Sequence, residues 1–386
     1  MNKVIIYASL VTIVILAIFV FLLLEQTDNV SNIQNIQYKD AEQIYDNCKD
    51  EMHCVVDSLN NIAKTEQKNL VLTTFSEVSV LYGSSKEFQC HMIIHHLGMW
   101  LYGYTGELDE AFKYASPICA GGHYHGIFQN YFLGKSLEGA EPNEIQIVGL
   151  CDRIDENSGL YNKSLCMHGV GHGLEVLYNY DTVNSAPRCD ELKTLSFQKN
   201  CLNGVFMEKS IDILKNSERD SDGKELYFSC NENELRNLDS CYLWQAWVIV
   251  RNNDNELFNS FGECDKIHYE AGIKNCYYGI GKTVWTYAKN SSDRFELYCE
   301  DGKRTEYHAY CIRGMVMLSS TNLLDNGFIV CSIIDEKFKH SCYDALGYWI
   351  QLRFIDENQK IELCSKSEKE YFDVCMNPDM NDISHL

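Results

Sequence analysis

The chain has 386 residues, with 33 Lys+Arg against 55 Asp+Glu and a formal net charge of −22. That acid excess excludes ordinary nucleic-acid binding, which needs a basic face to displace counterions from phosphates. At 45% hydrophobic and 12% aromatic the chain can bury a sizeable core, and 18 cysteines are too many for a reducing cytosol unless they bind metal.

The first predicted element is Val4–Leu24, an almost unbroken apolar run of about the ~20 residues that cross a bilayer as a helix. Lys3 precedes it and Glu25 and Asp28 come after it, so positive charge stays inside. The run ends Leu22-Leu23-Leu24-Glu25 and exceeds the ~7–15 apolar residues of a cleaved signal, without its small-residue cleavage site. We therefore expect an uncleaved single-pass anchor over 4–24, with the N-terminus cytoplasmic. A polar tether over 25–46 and an extracytoplasmic Cys-rich domain over 47–386 would complete the chain. Sequons at Asn29, Asn162 and Asn290 are compatible with an exported glycoprotein.

Fourteen cysteines fall into sequence pairs: 151/166, 189/201, 230/241, 264/276, 299/311, 331/342 and 364/375. The second members recur at intervals of 35, 40, 35, 35, 31 and 33, the range of helix–turn–helix repeats. The segments that open at the second cysteines are alike: CMHGVGHGLE from Cys166, CLNGVFMEKS from Cys201, CYYGIGKTVW from Cys276, CIRGMVMLSS from Cys311. Cys90 and Cys119 open segments of the same series. Position +3 from the cysteine is small at Gly122, Gly169, Gly204, Gly279, Gly314 and Ala345, which lets a neighbouring backbone come close. Each repeat reads as two helices stapled by a disulfide. Zinc knuckles of the C-x2-C type are absent. Cys48, Cys54, Cys90 and Cys119 allow three connectivities that spacing does not separate.

This period, pairing and small-residue pattern resembles the α/α repeat class, in particular exported Sel1-like and TPR-like proteins whose cysteines staple helical hairpins. The likeness covers roughly residues 80–376 and implies an all-α fold: disulfide-stapled hairpin repeats forming an open solenoid or an α/α toroid. The 11–12-residue cysteine spacing and the Cys-x-x-Gly opening depart from the Sel1 pattern.

Seven of the twelve histidines lie between residues 91 and 172. Position +6 is His96, His125 and His172 in three successive members, then Met207, Trp247, Lys282, Met317 and Tyr348. On a regular helix it lies ~240° from the cysteine, a stripe that would line a concave surface. His168, His172 and Glu175 share one face and form a two-His-one-carboxylate set. His96, His125, His168, His172 and Glu175 are thus the expected ligands of zinc, iron or copper. Glu175 or Glu208 would serve as a base, Glu208 from a less favourable angle. His91 and His95 point sideways and His123 points at its partner helix, as packing residues. The glycines at 169, 171 and 173 weaken the helix or mark close approach. We expect a metal-binding site on the concave face, with catalysis within its reach. HEAT-repeat hydroxylases are an analogy for such a seat, and the enzyme would be a hydrolase or oxygenase. The alternative is a scaffold whose concave face binds a protein or peptide ligand. The only other partner expected is the membrane.

Overall fold

The structure is a computed structural model. It describes residues 40–49, 51–84, 90–154, 159–217, 230, 235–253, 256–288, 296–322 and 324–379. The anchor expected at 4–24 and the sequons at Asn29 and Asn290 lie outside these residues. Among the described residues no strand is formed, and no helix is long and apolar enough to cross a membrane. The chain divides after Val78 into two compact units.

In the first unit, α1 (Ala41–Cys48) is capped by the Asp40 side chain, which accepts from the Gln43 N–H at 2.9 Å. It buries Ala41, Ile44 and Cys48, and α2 (Met52–Thr65) buries Val55, Leu59 and Ile62. Both show the three-to-four spacing of a one-sided helix. Cys48–Cys54 staples the turn between them. Helix α3 (Lys68–Ser84) carries the boundary.

The second unit is a run of long helices, the first beginning at Cys90 and each later one at or before the second cysteine of a pair. They are α4 (Cys90–Thr105), α6 (Ile118–Leu137), α7 (Gly159–Leu177), α9 (Leu195–Ser217), α10 (Leu235–Asn252), α12 (Glu270–Ala288), α14 (His308–Asn322) and α16 (Glu336–Arg353). Short helices lie between: α5 (Leu108–Phe112), α8 (Thr182–Ser185), α11 (Leu257–Cys264), α13 (Glu296–Glu300), α15 (Leu324–Ile333), and then α17 (Glu357–Cys364) and α18 (Phe372–Met376). Each long helix packs on the next, ending with α16 on α18. Helix α6 also meets α14 and α7 meets α16, where Tyr161 and Trp349 sit edge to face at 5.2 Å. Within this unit the run therefore turns back on itself. All seven sequence pairs are disulfides, and Cys90–Cys119 is the eighth. No described cysteine is free.

Neighbouring long helices touch backbone to backbone. A Cβ on Gly204 of α9 would lie 2.0 Å from the His168 carbonyl oxygen of α7, and one on Gly171 of α7 would lie 1.9 Å from the Cys201 carbonyl oxygen. Gly314 and Gly281 make the same reciprocal pair with Tyr278 and Cys311. The +3 and +5 glycines are thus docking points rather than flaws in the helix. Because the backbones touch, side chains on either flank of one helix meet those of the next. Much of the +6 stripe lies inside the unit: Met207, Met317 and Tyr348 are buried at 9%, 3% and 5% exposure, while His96, Trp247 and Lys282 are half-buried.

Candidate metal centre

Helix α7 supplies two of the site's imidazoles. His168 and His172 lie one turn apart and bring their Nε2 atoms to 3.2 Å. His172 Nδ1–H donates to Glu208 Oε2 at 2.7 Å, so its Nε2 presents a bare lone pair. Two ligand nitrogens on a tetrahedral zinc ion, each at ~2.05 Å, would lie ~3.3 Å apart. The separation found therefore suits either a shared proton or a shared ion.

The third imidazole is His125 on α6, stacked on His172 at 4.5 Å between centroids and 4.8 Å from the His168 ring. One nitrogen from each of His125, His168 and His172 lies within 4.8 Å of the others. His125 is 1% exposed, and neither of its ring nitrogens has a hydrogen-bond partner. A buried imidazole must donate from one nitrogen and accept at the other, so this orphaned ring is costly unless something binds it. Burial pushes His125 and His168 well below the usual histidine range, and a proton on His172 would lower them further. Both are neutral at pH 7, the form that ligates metal.

Glu208, on α9, is 3% exposed and does not face the trio as a bare ligand. Its Oε2 accepts from His172 and also from Gln129 Nε2 at 2.6 Å. This is the carboxylate–histidine pairing that fixes the tautomer of a metal-ligating ring.

The other expected residues sit elsewhere. Glu175 is fully buried but turned to α8, where the Thr182 and Ser185 hydroxyls donate to its carboxylate, with Thr182 at 2.6 Å. Burial pushes its carboxyl up to about 7. It is not one of the converging nitrogen and oxygen ligands. His96 is half-buried and donates from Nδ1 to the Met92 carbonyl at 2.9 Å, also outside the trio. His123 is a packing residue: Ser116 N–H donates to its Nδ1, and its Nε2 faces Ser79 Oγ, both at 3.1 Å.

Two rings that sequence reasoning assigned to packing border the trio. His91 lies 5.0 Å from His125, and His95 lies 6.3 Å from His125 and 6.4 Å from His172. His91 Nδ1–H donates to the Cys119 carbonyl at 2.7 Å, and burial lowers the ring to about 4. Nδ1 of His95 has no partner, and burial keeps that ring well below the usual range. The signal that could have found them was the glycine pattern, since backbone contact brings sideways residues into the next helix's layer.

The fit to a divalent transition metal is good. Three imidazoles converge, one is oriented by a buried carboxylate, and one is otherwise orphaned. Comparisons with protein-family models, curated proteins and solved structures find no match to this chain.

Proposed function

We propose that this chain is an extracytoplasmic metal-binding protein, held at the membrane by residues 4–24 with its N-terminus in the cytoplasm. His125, His168 and His172 hold one zinc, iron or copper ion, and Glu208 supports His172. Nine disulfides support an oxidising compartment. The orphaned, buried His125 ring carries the metal reading. Three histidines leave a coordination position open, and an ion so bound brings water to a pKa of ~7 and polarises carbonyl or phosphoryl oxygens. The chain's own part is to keep the ligands neutral by burial, to hold His172 through Glu208 and Gln129, and to shield the site with His91 and His95.

The test is elemental analysis of the full-length oxidised chain in detergent, without a histidine tag, beside a His125→Ala/His172→Ala variant checked by circular dichroism. We expect about one equivalent of metal in the first and none in the second. No metal in the unaltered chain after reconstitution with zinc, ferrous iron and copper would overturn the reading. The non-enzymatic scaffold would then take its place.

A further inference from the structure

In the repeat that starts at Cys276, positions +2 and +6 are Tyr278 and Lys282. They share one face of α12, in the register that His168 and His172 occupy on α7. Lys282 Nζ sits over the Trp244 ring at 4.2 Å from its centroid, and that ring lies 6.3 Å from His168. The ammonium is close enough to depress both His168 and His91. In a chain with 55 acidic residues, no carboxylate pairs with Lys282 among the described residues, and the indole face is its one partner. Arg313, on the next long helix, shows the ordinary arrangement, with Asp344 Oδ2 at 2.8 Å.

Two neutral donors stand on the same pair of helices, α10 and α12. Trp244 is 9% exposed, and its Nε1–H has no acceptor. The Tyr278 hydroxyl is buried and has no partner. Buried donors are normally satisfied, and the half-buried Lys282 faces only an indole. Burial pulls Lys282 down to about 8, so it still carries charge at pH 7. The region is rich in donors and poor in acceptors, next to three ligands for a cation.

We infer that Lys282 and Trp244, with Tyr278 behind them, form an anion-recognition wall beside the histidine trio, and that the site takes a small oxyanion, a carboxylate or a phosphate. One oxygen of that anion faces the ion held by His125, His168 and His172, and another accepts from Lys282. The inference rests on the metal reading for its first contact and on Lys282 for its second.

The experiment titrates the full-length chain in detergent with acetate and with inorganic phosphate, following tryptophan emission, with and without one equivalent of zinc. A saturable change is expected with at least one anion, and which anion gives it separates carboxylate from phosphate recognition. Lys282→Met should weaken the affinity about tenfold or more, Lys282→Arg should largely restore it, and Trp244→Phe should remove the signal. Should the methionine variant not fold, Lys282→Gln makes the same comparison. Equal affinity in the Lys282 variants, or no saturable change with either anion, would overturn the anion wall. Zinc content is measured on the same samples. Zinc uptake without anion binding would sink this inference alone, Lys282-dependent anion binding in a chain that takes up no zinc would sink the metal reading, and zinc uptake with anion binding indifferent to zinc would overturn the metal-facing contact.

Discussion

In the repeat of Cys166, positions +2 and +6 are His168 and His172; in the repeat of Cys276 they are Tyr278 and Lys282. Both repeats dock through a reciprocal pair of glycines, 171 with 204 and 281 with 314, each against a backbone carbonyl oxygen. Position is set by the backbone contact and chemistry by the two side chains it displays. One repeat presents nitrogen lone pairs, and the other presents donors and a positive charge. A stacked array can thus build two complementary walls by changing two residues per repeat, with no change in scaffold.

The largest expected effect breaks what the two repeats share. Gly204→Ala and Gly314→Ala each put a Cβ within 2.0 Å of a carbonyl oxygen, at 2.0 and 1.9 Å, where no side chain can move aside. Each should cost about 3 kcal/mol, seen as a lower denaturation midpoint. A mild phenotype for one of the two would show that the docking is not equivalent.

Next in size is His125→Leu, which separates ligation from packing. Metal should vanish from the protein. The metal-free fold should be unharmed or more stable by up to ~1–3 kcal/mol, because two orphaned nitrogens are removed. Strong destabilisation of the metal-free variant would make His125 an ordinary core residue. Glu208→Gln is gentler: metal affinity should fall about 10–100-fold with the fold intact, and an unchanged dissociation constant would remove Glu208 from the site.

Below pH 7 acid should act on the histidine wall and not on the lysine wall, because Lys282 titrates at about 8 and is already charged. Burial holds His91, His95, His125 and His168 below the ordinary histidine value of 6.5, His91 at about 4. The unfolded chain therefore takes up protons first as pH falls. Stability from these neutral rings is complete above 6.5 and drains as pH drops toward 4. Urea midpoints at pH 7, 5.5 and 4 should fall in that order; midpoints flat across this window would contradict the burial. The smallest effect is expected for Glu175→Gln. Its carboxyl titrates at about 7 and faces two hydroxyls, so metal content should not change.

Much of the fold was legible in the chain because the cysteines keep a beat and the small residue at +3 repeats. Cys48–Cys54 and Cys90–Cys119, separated by 6 and 29 residues, do not keep that beat, so their pairing had to come from the structure. Helical angles failed at α6. Cys119, Ala120 and Gly121 have φ of 51°, 56° and 75°, a left-handed turn that resets the count, and His125 lies in the core at 1% exposure, as His172 does. His168 and His172 come after no such break and were found by spacing alone. His91 and His95 were missed because sideways from one backbone means against the next when glycines let backbones touch. Glu175 sits on the expected helix, but its partners on α8 lie seven and ten residues onward, beyond what a helical wheel counts.

Every disulfide joins a cysteine to the very next one in the chain, from Cys48–Cys54 through Cys364–Cys375. A polypeptide whose residues beyond the proposed anchor enter an oxidising compartment in chain order always meets the right partner as the newest thiol to arrive. Bonds can then close in order of emergence. A mispaired cysteine would require one to wait while its neighbour passes by, so slow translocation favours the native set and little reshuffling by an isomerase is needed afterwards.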